Sequence, residues 1–251
     1  MKKLIFLDRD GVINKEKGYI CDIKDFKLYK DVIKALKLVK DDNPIIIITN
    51  QASISKGICK ESDINQIHNY LKKLLKYRYN IKINNIFYCK HQDTDRCKCR
   101  KPEIGLLKEA EKIYKINKKH SFFIGDSTVD IKTANNYKIQ SILLLRGHKG
   151  EDKKFKVKAN YKFLNLYQAI FFIKKIYPGL LNLFFKFRHK DFIYIKIFNK
   201  IYKQNTINAF YYFKNIYKKN LLIKDVNSNI NLKLLKKKQF LICGLKIKIY
   251  Y

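Results

Sequence analysis

The 251 residues include 55 Lys and Arg against 21 Asp and Glu, a formal net charge of +34, with 47% hydrophobic residues. That apolar share supports a sizeable core and excludes a wholly disordered chain, while no uncharged apolar run reaches the roughly 18 residues that cross a bilayer. The basic balance fits phosphate-rich partners, yet nearly all of it is Lys beside abundant Ile, Asn, Tyr and Phe, a profile that AT-rich coding imposes without a polyanion site.

In chain order, Leu4-Ile5-Phe6-Leu7 is a short apolar run that stops at Asp8, too short for a secretory leader of about 7–15 apolar residues, so a cytosolic protein is expected. Val32, Leu36 and Val39 fall on one helical face. Ile45 to Ile48 is a second continuous apolar run and ends at Thr49-Asn50. A second helix is predicted from Ile64, Ile67, Leu71 and Leu74, and Ile86-Phe87-Tyr88 follows as a strand. Pro102 suits a first helical turn, which places Leu106, Ala110 and Ile113 inward. Phe122-Phe123-Ile124 ends at Gly125-Asp126, and Ile142 to Leu145 is a further strand. Continuous apolar runs alternating with amphipathic helices predict an α/β fold with a parallel sheet buried on both faces. Ligands of such sheets bind beyond the carboxyl ends of the strands, where Asp8, Thr49-Asn50 and Asp126 lie.

Near Pro178-Gly179 the composition shifts. Residues 178–251 hold 16 basic and 2 acidic residues with 15 aromatics, so two domains are expected, 1–177 and a C-terminal extension over 178–251. Within the extension, Phe192 to Phe198 is almost continuously apolar and Leu221 to Leu235 fits no period. An added packing layer or appendage is the first reading of this tail, with nucleic-acid or anionic-membrane contact as the alternative.

Asp8-Arg9-Asp10-Gly11 places two carboxylates two residues apart as the chain leaves the first strand. One can attack phosphorus and the other can move the leaving-group proton, while both can help hold a hard cation such as Mg²⁺. Alone the pair is weak. Its partners follow in order: Thr49-Asn50 with a hydroxyl and amides, Arg100-Lys101-Pro102 with a cation, and Gly125-Asp126 with Asp130 adding carboxylates. Cys89, His91, Cys97 and Cys99 cluster just before Arg100, and three thiolates with an imidazole make a closed, structural zinc set. Cys21, Cys59 and Cys243 have no partner spacing and read as free thiols.

In kind, order and strand-end placement these four motifs resemble the haloacid dehalogenase superfamily over residues 1–175. The resemblance implies Asp8 as nucleophile, Asp10 as general acid and then base, and Thr49 and Lys101 as phosphoryl-binding groups. It implies Mg²⁺ held by Asp8, the Asp10 carbonyl and Asp126, with Asp130 in support. Asp-Arg-Asp-Gly, Thr49-Asn50-Gln51 and Cys-x-His…Cys-x-Cys-Arg-Lys-Pro are similar to the D-glycero-D-manno-heptose 1,7-bisphosphate 7-phosphatases. The histidinol-phosphatase domain is the close relative. Phe6 to Asn14, Gly18-Tyr19 and the stretch Ala52 to Gly57 favour the heptose branch, although Ala52, Ser53, Ser55, Lys56, Lys90, Ser127, Ala134 and Asn136 depart from its usual residues.

Only 38 residues separate Asp10 from Thr49, leaving little room for a cap domain, so the site is expected to be open. Asn50, Gln51, Lys56 and Arg100 are candidates for substrate binding, the last two for a second phosphate, with solvated cations as the alternative for those two. His68 reads as a partly buried structural residue, and His148 as part of a flexible surface loop rather than the site wall. The expected function is removal of the C7 phosphate of heptose 1,7-bisphosphate by a monomer, with histidinol phosphate as the alternative substrate. Non-catalytic binding of a polyanion or membrane is the rival class.

Overall fold

The computed structural model describes residues 3–39 and 43–176, together with the backbone of four strands between 192 and 250. The chain divides into two compact units, Met1–Ile170 and Phe171–Tyr251.

The first unit is built on a six-stranded sheet with every pairing parallel. Its strands are β1 (Ile5–Leu7), β2 (Ile45–Asn50), β3 (Asn85–Cys89), β4 (Phe122–Gly125), β5 (Gln140–Leu144) and β6 (Tyr161–Phe163). The order β3-β2-β1-β4-β5-β6 reverses at β1, so the ends of β1, β2 and β4 face one crevice. Leu4 to Leu7, Ile45 to Ile48 and Phe122 to Ile124 are at most 1% exposed, as strands covered on both faces require. Each such side chain contributes about 1.5–3 kcal/mol of burial.

The helices are α1 (Val32–Lys37), α2 (Glu61–Lys73), α3 (Gly105–Ile113), α4 (Thr128–Tyr137) and α5 (Leu166–Phe171). Val32, Leu36 and Val39 are fully buried, and so are Ile64, Ile67 and Leu71. Leu74 is half-exposed, because a π turn over Leu74–Arg78 widens the helix end and turns Leu75 inward instead. α3 starts at Gly105 rather than at Pro102. The preceding residues are spent on a turn in which Glu103 N donates to Arg100 O and Gly105 N to Lys98 O. Ile113, expected inside, is 59% exposed at the last residue of α3, and Leu106, Leu107 and Ala110 form the buried face.

A disulfide joins Cys21 and Cys59, with Cα atoms 5.3 Å apart across 38 residues of sequence. This corrects the expectation of free thiols at both positions; Cys243 lies outside the described residues. Between Asp10 and β2 the described residues form only a 3₁₀ turn and α1, and no cap domain stands among them. No described helix is long and apolar enough to cross a membrane.

The second unit holds β7 (Phe192–Ile197), β8 (Lys200–Asn205), β9 (Lys237–Ile242) and β10 (Leu245–Tyr250). They pair antiparallel in the order β8-β7-β10-β9, with Phe192 opposite Asn205 and Leu245 opposite Ile242. The expectation for Leu221 to Leu235 falls outside the described residues.

Candidate active site

The crevice at the strand ends is a cleft of about 610 Å³. On its floor Asp8, Asp126 and Asp130 come from the ends of β1 and β4 and the first turn of α4. They are 9%, 1% and 0% exposed. One carboxylate oxygen of each lies within 4.8 Å of the other two. Lys101 enters from the loop before α3, with its Nζ 2.9 Å from Asp8 Oδ1 and 2.6 Å from Asp130 Oδ1. Three carboxylates therefore face one ammonium.

That imbalance shows in the acidities. Burial, then Asp130 and Asp8, push the Asp126 carboxyl up to about 9. Burial raises Asp8 to about 7, with Lys101 opposing and Asp130 and Asp10 adding to the rise. Burial opposes the charged form of Lys101 too, but Asp130 and Asp8 outweigh it and raise its pKa. The site is short of positive charge, and clustered oxygen donors suit a hard divalent cation. Two glycines keep the space around Asp126 open. A Cβ on Gly11 (φ 73°) or on Gly147 (φ 57°) would sit 2.1 Å from Asp126 Oδ2. The residues present thus fit a Mg²⁺-like ion.

Asp10 is wired differently. Arg9 Nε donates to both of its oxygens at 3.2 Å, Asn14 Nδ2 donates at 2.8 Å and Gln51 Nε2 at 2.9 Å. Burial would raise its pKa, yet Arg9, Asn14 and Gln51 together hold it below the usual carboxylate range. Thr49, 1% exposed at the end of β2, accepts from Gln51 Nε2 at 2.9 Å.

Asn50 lines the cleft, and its amide is engaged with Lys101. Its Oδ1 accepts from Lys101 N at 3.0 Å and its Nδ2 donates to Lys101 O at 3.1 Å, a clasp that fixes the lysine from β2. The amide of Gln51 is likewise spent on Asp10, Thr49 and Arg9. Both residues line the cleft, and their amides also hold Lys101, Asp10 and Thr49.

Lys56 and Arg100 line the outer part of the cleft. Lys56 Nζ donates to Tyr19 Oη at 2.7 Å, and Arg100 pairs with Asp93 and donates to His91 O at 3.0 Å. Lys56 is exposed and Arg100 is half-buried. His148, exposed at a surface turn, also lines the cleft. Its backbone N donates to Asp126 Oδ2 at 2.7 Å, and Gly150 N donates to Asp126 O, so the loop is tied to β4.

Cys89, His91, Cys97 and Cys99 converge beside the cleft. Their sulfurs lie 3.2–3.5 Å apart, and His91 Nδ1 is 3.3 Å from Cys99 Sγ and 3.5 Å from Cys89 Sγ. One atom from each lies within 4.8 Å of the others, a set that can hold a metal ion. The loop they close leads straight into Arg100 and Lys101.

Sequence reasoning gave no role to Arg9, Asn14, Tyr19 or Ser127. Arg9, between the paired aspartates, is 1% exposed, Asn14 is fully buried, and Ser127 Oγ donates to Asp130 Oδ2 at 2.7 Å. An Arg flanked by two site carboxylates was the available signal.

A carboxylate after β1, a hydroxyl at the end of β2, a lysine before α3 and acids after β4 around one crevice define the haloacid dehalogenase class. The family model described as Polynucleotide kinase 3 phosphatase matches residues 3–168. D-glycero-beta-D-manno-heptose-1,7-bisphosphate 7-phosphatase of Helicobacter pylori is 36% identical over 144 residues, 57% of this chain and 83% of that protein. The D-glycero-alpha-D-manno-heptose-1,7-bisphosphate 7-phosphatase of Campylobacter jejuni is 34% identical over 174 residues, 69% and 96% of the two chains. Among solved structures, the D,D-heptose 1.7-bisphosphate phosphatase from B. bronchiseptica complexed with magnesium and phosphate aligns with a TM-score of 0.61. Its sequence is 23% identical, over 72% of this chain and 99% of that one. The chain belongs to the polynucleotide kinase 3 phosphatase family and groups with the heptose-1,7-bisphosphate 7-phosphatases.

Proposed function

We propose that the chain is a magnesium-dependent phosphatase that removes the C7 phosphate of D-glycero-D-manno-heptose 1,7-bisphosphate through an aspartyl-phosphate. The observation that carries the reading is Lys101 Nζ against Asp8 Oδ1 at 2.9 Å on the cleft floor, with Asp126 and Asp130 around them. The named activity of relatives at 36% and 34% identity supports the substrate.

Asp8 and Asp126, with the Asp10 carbonyl, would hold Mg²⁺, which supplies positive charge to the transferring phosphoryl oxygens and favours ionised Asp8. An Asp8 oxygen attacks phosphorus, and the bond from phosphorus to the sugar oxygen breaks. Asp10 is ionised in the empty site and gains a proton carried in on the substrate phosphate; the sugar oxygen takes that proton from Asp10 and leaves as the alcohol. Asp10, now a carboxylate, takes a proton from water as the water oxygen attacks phosphorus. The bond to Asp8 breaks, phosphate departs, and Asp10 releases the proton it took from water, returning to the ionised form that Arg9, Asn14 and Gln51 favour. Lys101 and the Thr49 hydroxyl meet the charge that spreads over the phosphoryl oxygens.

The open cleft leaves the far end of the substrate to the rim, where Lys56 and Arg100 would meet the second phosphate; both line the cleft, which supports that role. The Cys89, His91, Cys97 and Cys99 cluster is proposed as a structural zinc site. Its sulfur spacing of 3.2–3.5 Å is near the edge of about 3.8 Å that tetrahedral Zn–S bonds impose. Phosphate release from heptose 1,7-bisphosphate and from histidinol phosphate, measured side by side with Mg²⁺, tests the reading. A kcat/KM at least tenfold higher for the heptose is expected, and the reverse order assigns histidinol phosphate instead.

A further inference from the structure

Among the described residues Arg9 is the largest fully buried side chain, and none of the steps above uses it. Each of its guanidinium nitrogens has a partner. Nε reaches both Asp10 oxygens at 3.2 Å, and Nη2 donates to Asp10 Oδ1 at 3.0 Å and to Gln51 Oε1 at 3.1 Å. Nη1 lies 3.1 Å from His68 Nε2. A guanidinium can only donate, so His68 Nε2 is the acceptor and its ring proton sits on Nδ1. The ring of Phe26 covers the guanidinium carbon at 5.9 Å. Arg9 is therefore gripped from the end of β2 through Gln51 and from α2 through His68, and it presents a fixed fork to Asp10.

A carboxyl group on two rotatable bonds transfers a proton well only when its plane and reach are set. With Gln51 and Asn14, the fork contacts both oxygens of Asp10 and fixes that plane. We propose that Arg9 is a positioning residue for proton transfer by Asp10, and that His68 holds Arg9 in place. This rests on the phosphatase reading of the same site. Arg9 acts only through Asp10, so its effect must follow the need of the leaving oxygen for a proton. The sugar oxygen of an alkyl phosphate needs one as its bond breaks, whereas p-nitrophenolate leaves without help.

The test compares kcat/KM for heptose 1,7-bisphosphate and for p-nitrophenyl phosphate, with Mg²⁺ present, in the full chain and its variants. Positioned acid catalysis contributes about 10²–10⁴-fold. Arg9→Met is expected to lose about 100-fold on the alkyl phosphate and less than about tenfold on the aryl one. Arg9→Lys, which restores charge without the fork, is expected to keep the same skewed ratio. His68→Leu leaves Arg9 Nη1 without its acceptor and is expected to lose about tenfold on the alkyl phosphate alone, with recovery in His68→Gln, whose amide oxygen can accept. Should Arg9→Met not fold, the His68 pair decides. Equal losses on both substrates in the variants that fold would overturn the positioning role while leaving the phosphatase standing. A wild-type chain that releases phosphate from neither substrate overturns the phosphatase reading and this one with it.

Discussion

Magnesium binding should expel protons, in a number set by the carboxylates on the cleft floor. Without the ion, Asp126 titrates at about 9 and Asp8 at about 7. At pH 7 the first is almost fully protonated and the second about half, so binding that ionises both releases roughly 1.5 protons per Mg²⁺. Carried from pH 6 to pH 8, the same values raise the apparent affinity on the order of 10³-fold. The sign for stability follows from the same two groups. Their folded values lie above the ordinary 3.8 of an unfolded chain, so the metal-free native state holds more protons than the unfolded state in between. The stabilisation these two groups give the metal-free chain is complete below about 3.8 and is lost as pH rises from there through about 7 and about 9, and Mg²⁺ reverses that loss. Titration calorimetry at pH 7 in two buffers of different ionisation enthalpy counts the protons directly. Release below about 0.3 proton per ion, or an affinity flat with pH, would refute the reasoning.

Other outcomes follow from single contacts. Lys101→Met leaves Asp8, Asp126 and Asp130 without their ammonium, which should cost about 3–5 kcal/mol in urea unfolding without Mg²⁺ and at least about 100-fold in kcat. An unchanged kcat would remove the lysine from catalysis. Removing metal from the cysteine–histidine cluster with a chelator, then restoring Mg²⁺, should leave activity depressed until Zn²⁺ is added, as read by phosphate release. Recovery on Mg²⁺ alone contradicts a structural zinc. Cys21→Ser opens a loop of 38 residues and should lower stability by up to about 4 kcal/mol relative to the oxidised chain. Coincident urea midpoints would deny the cross-link.

Much of this site is legible before any coordinates because strand ends carry it. A continuous apolar run such as Ile45 to Ile48 marks both a central strand and the point where Thr49 leaves it. Cys89 to Lys101 is local in sequence, so its convergence could be read from spacing. What escaped depends on distant pieces of chain meeting. Cys21 and Cys59 pair because the loop after β1 and the loop before α2 meet, which nothing in their spacing of 38 announces. Arg9 and His68 are 59 residues apart, and each alone reads as a charged loop residue or a helix-face histidine. β6 is three residues at the sheet edge, Tyr161-Lys162-Phe163, too short for a periodicity signal. Ile113 and Leu74 were misplaced because helical periodicity assumes that the helix continues, whereas α3 ends at Ile113 and α2 passes into a π turn at Leu74. The place of Asn50 and Gln51 beside Thr49 was legible, but their bonds to Lys101 and Asp10, 51 and 41 residues away, were not.

The most direct test is to locate the phosphoryl group during turnover. After acid quench of a single turnover with heptose 1,7-bisphosphate labelled at the C7 phosphate, peptide mapping should find the label on the peptide containing Asp8, released by mild base. Asp8→Asn should carry none and release no phosphate. Label on another residue, or full turnover by Asp8→Asn, would contradict the account.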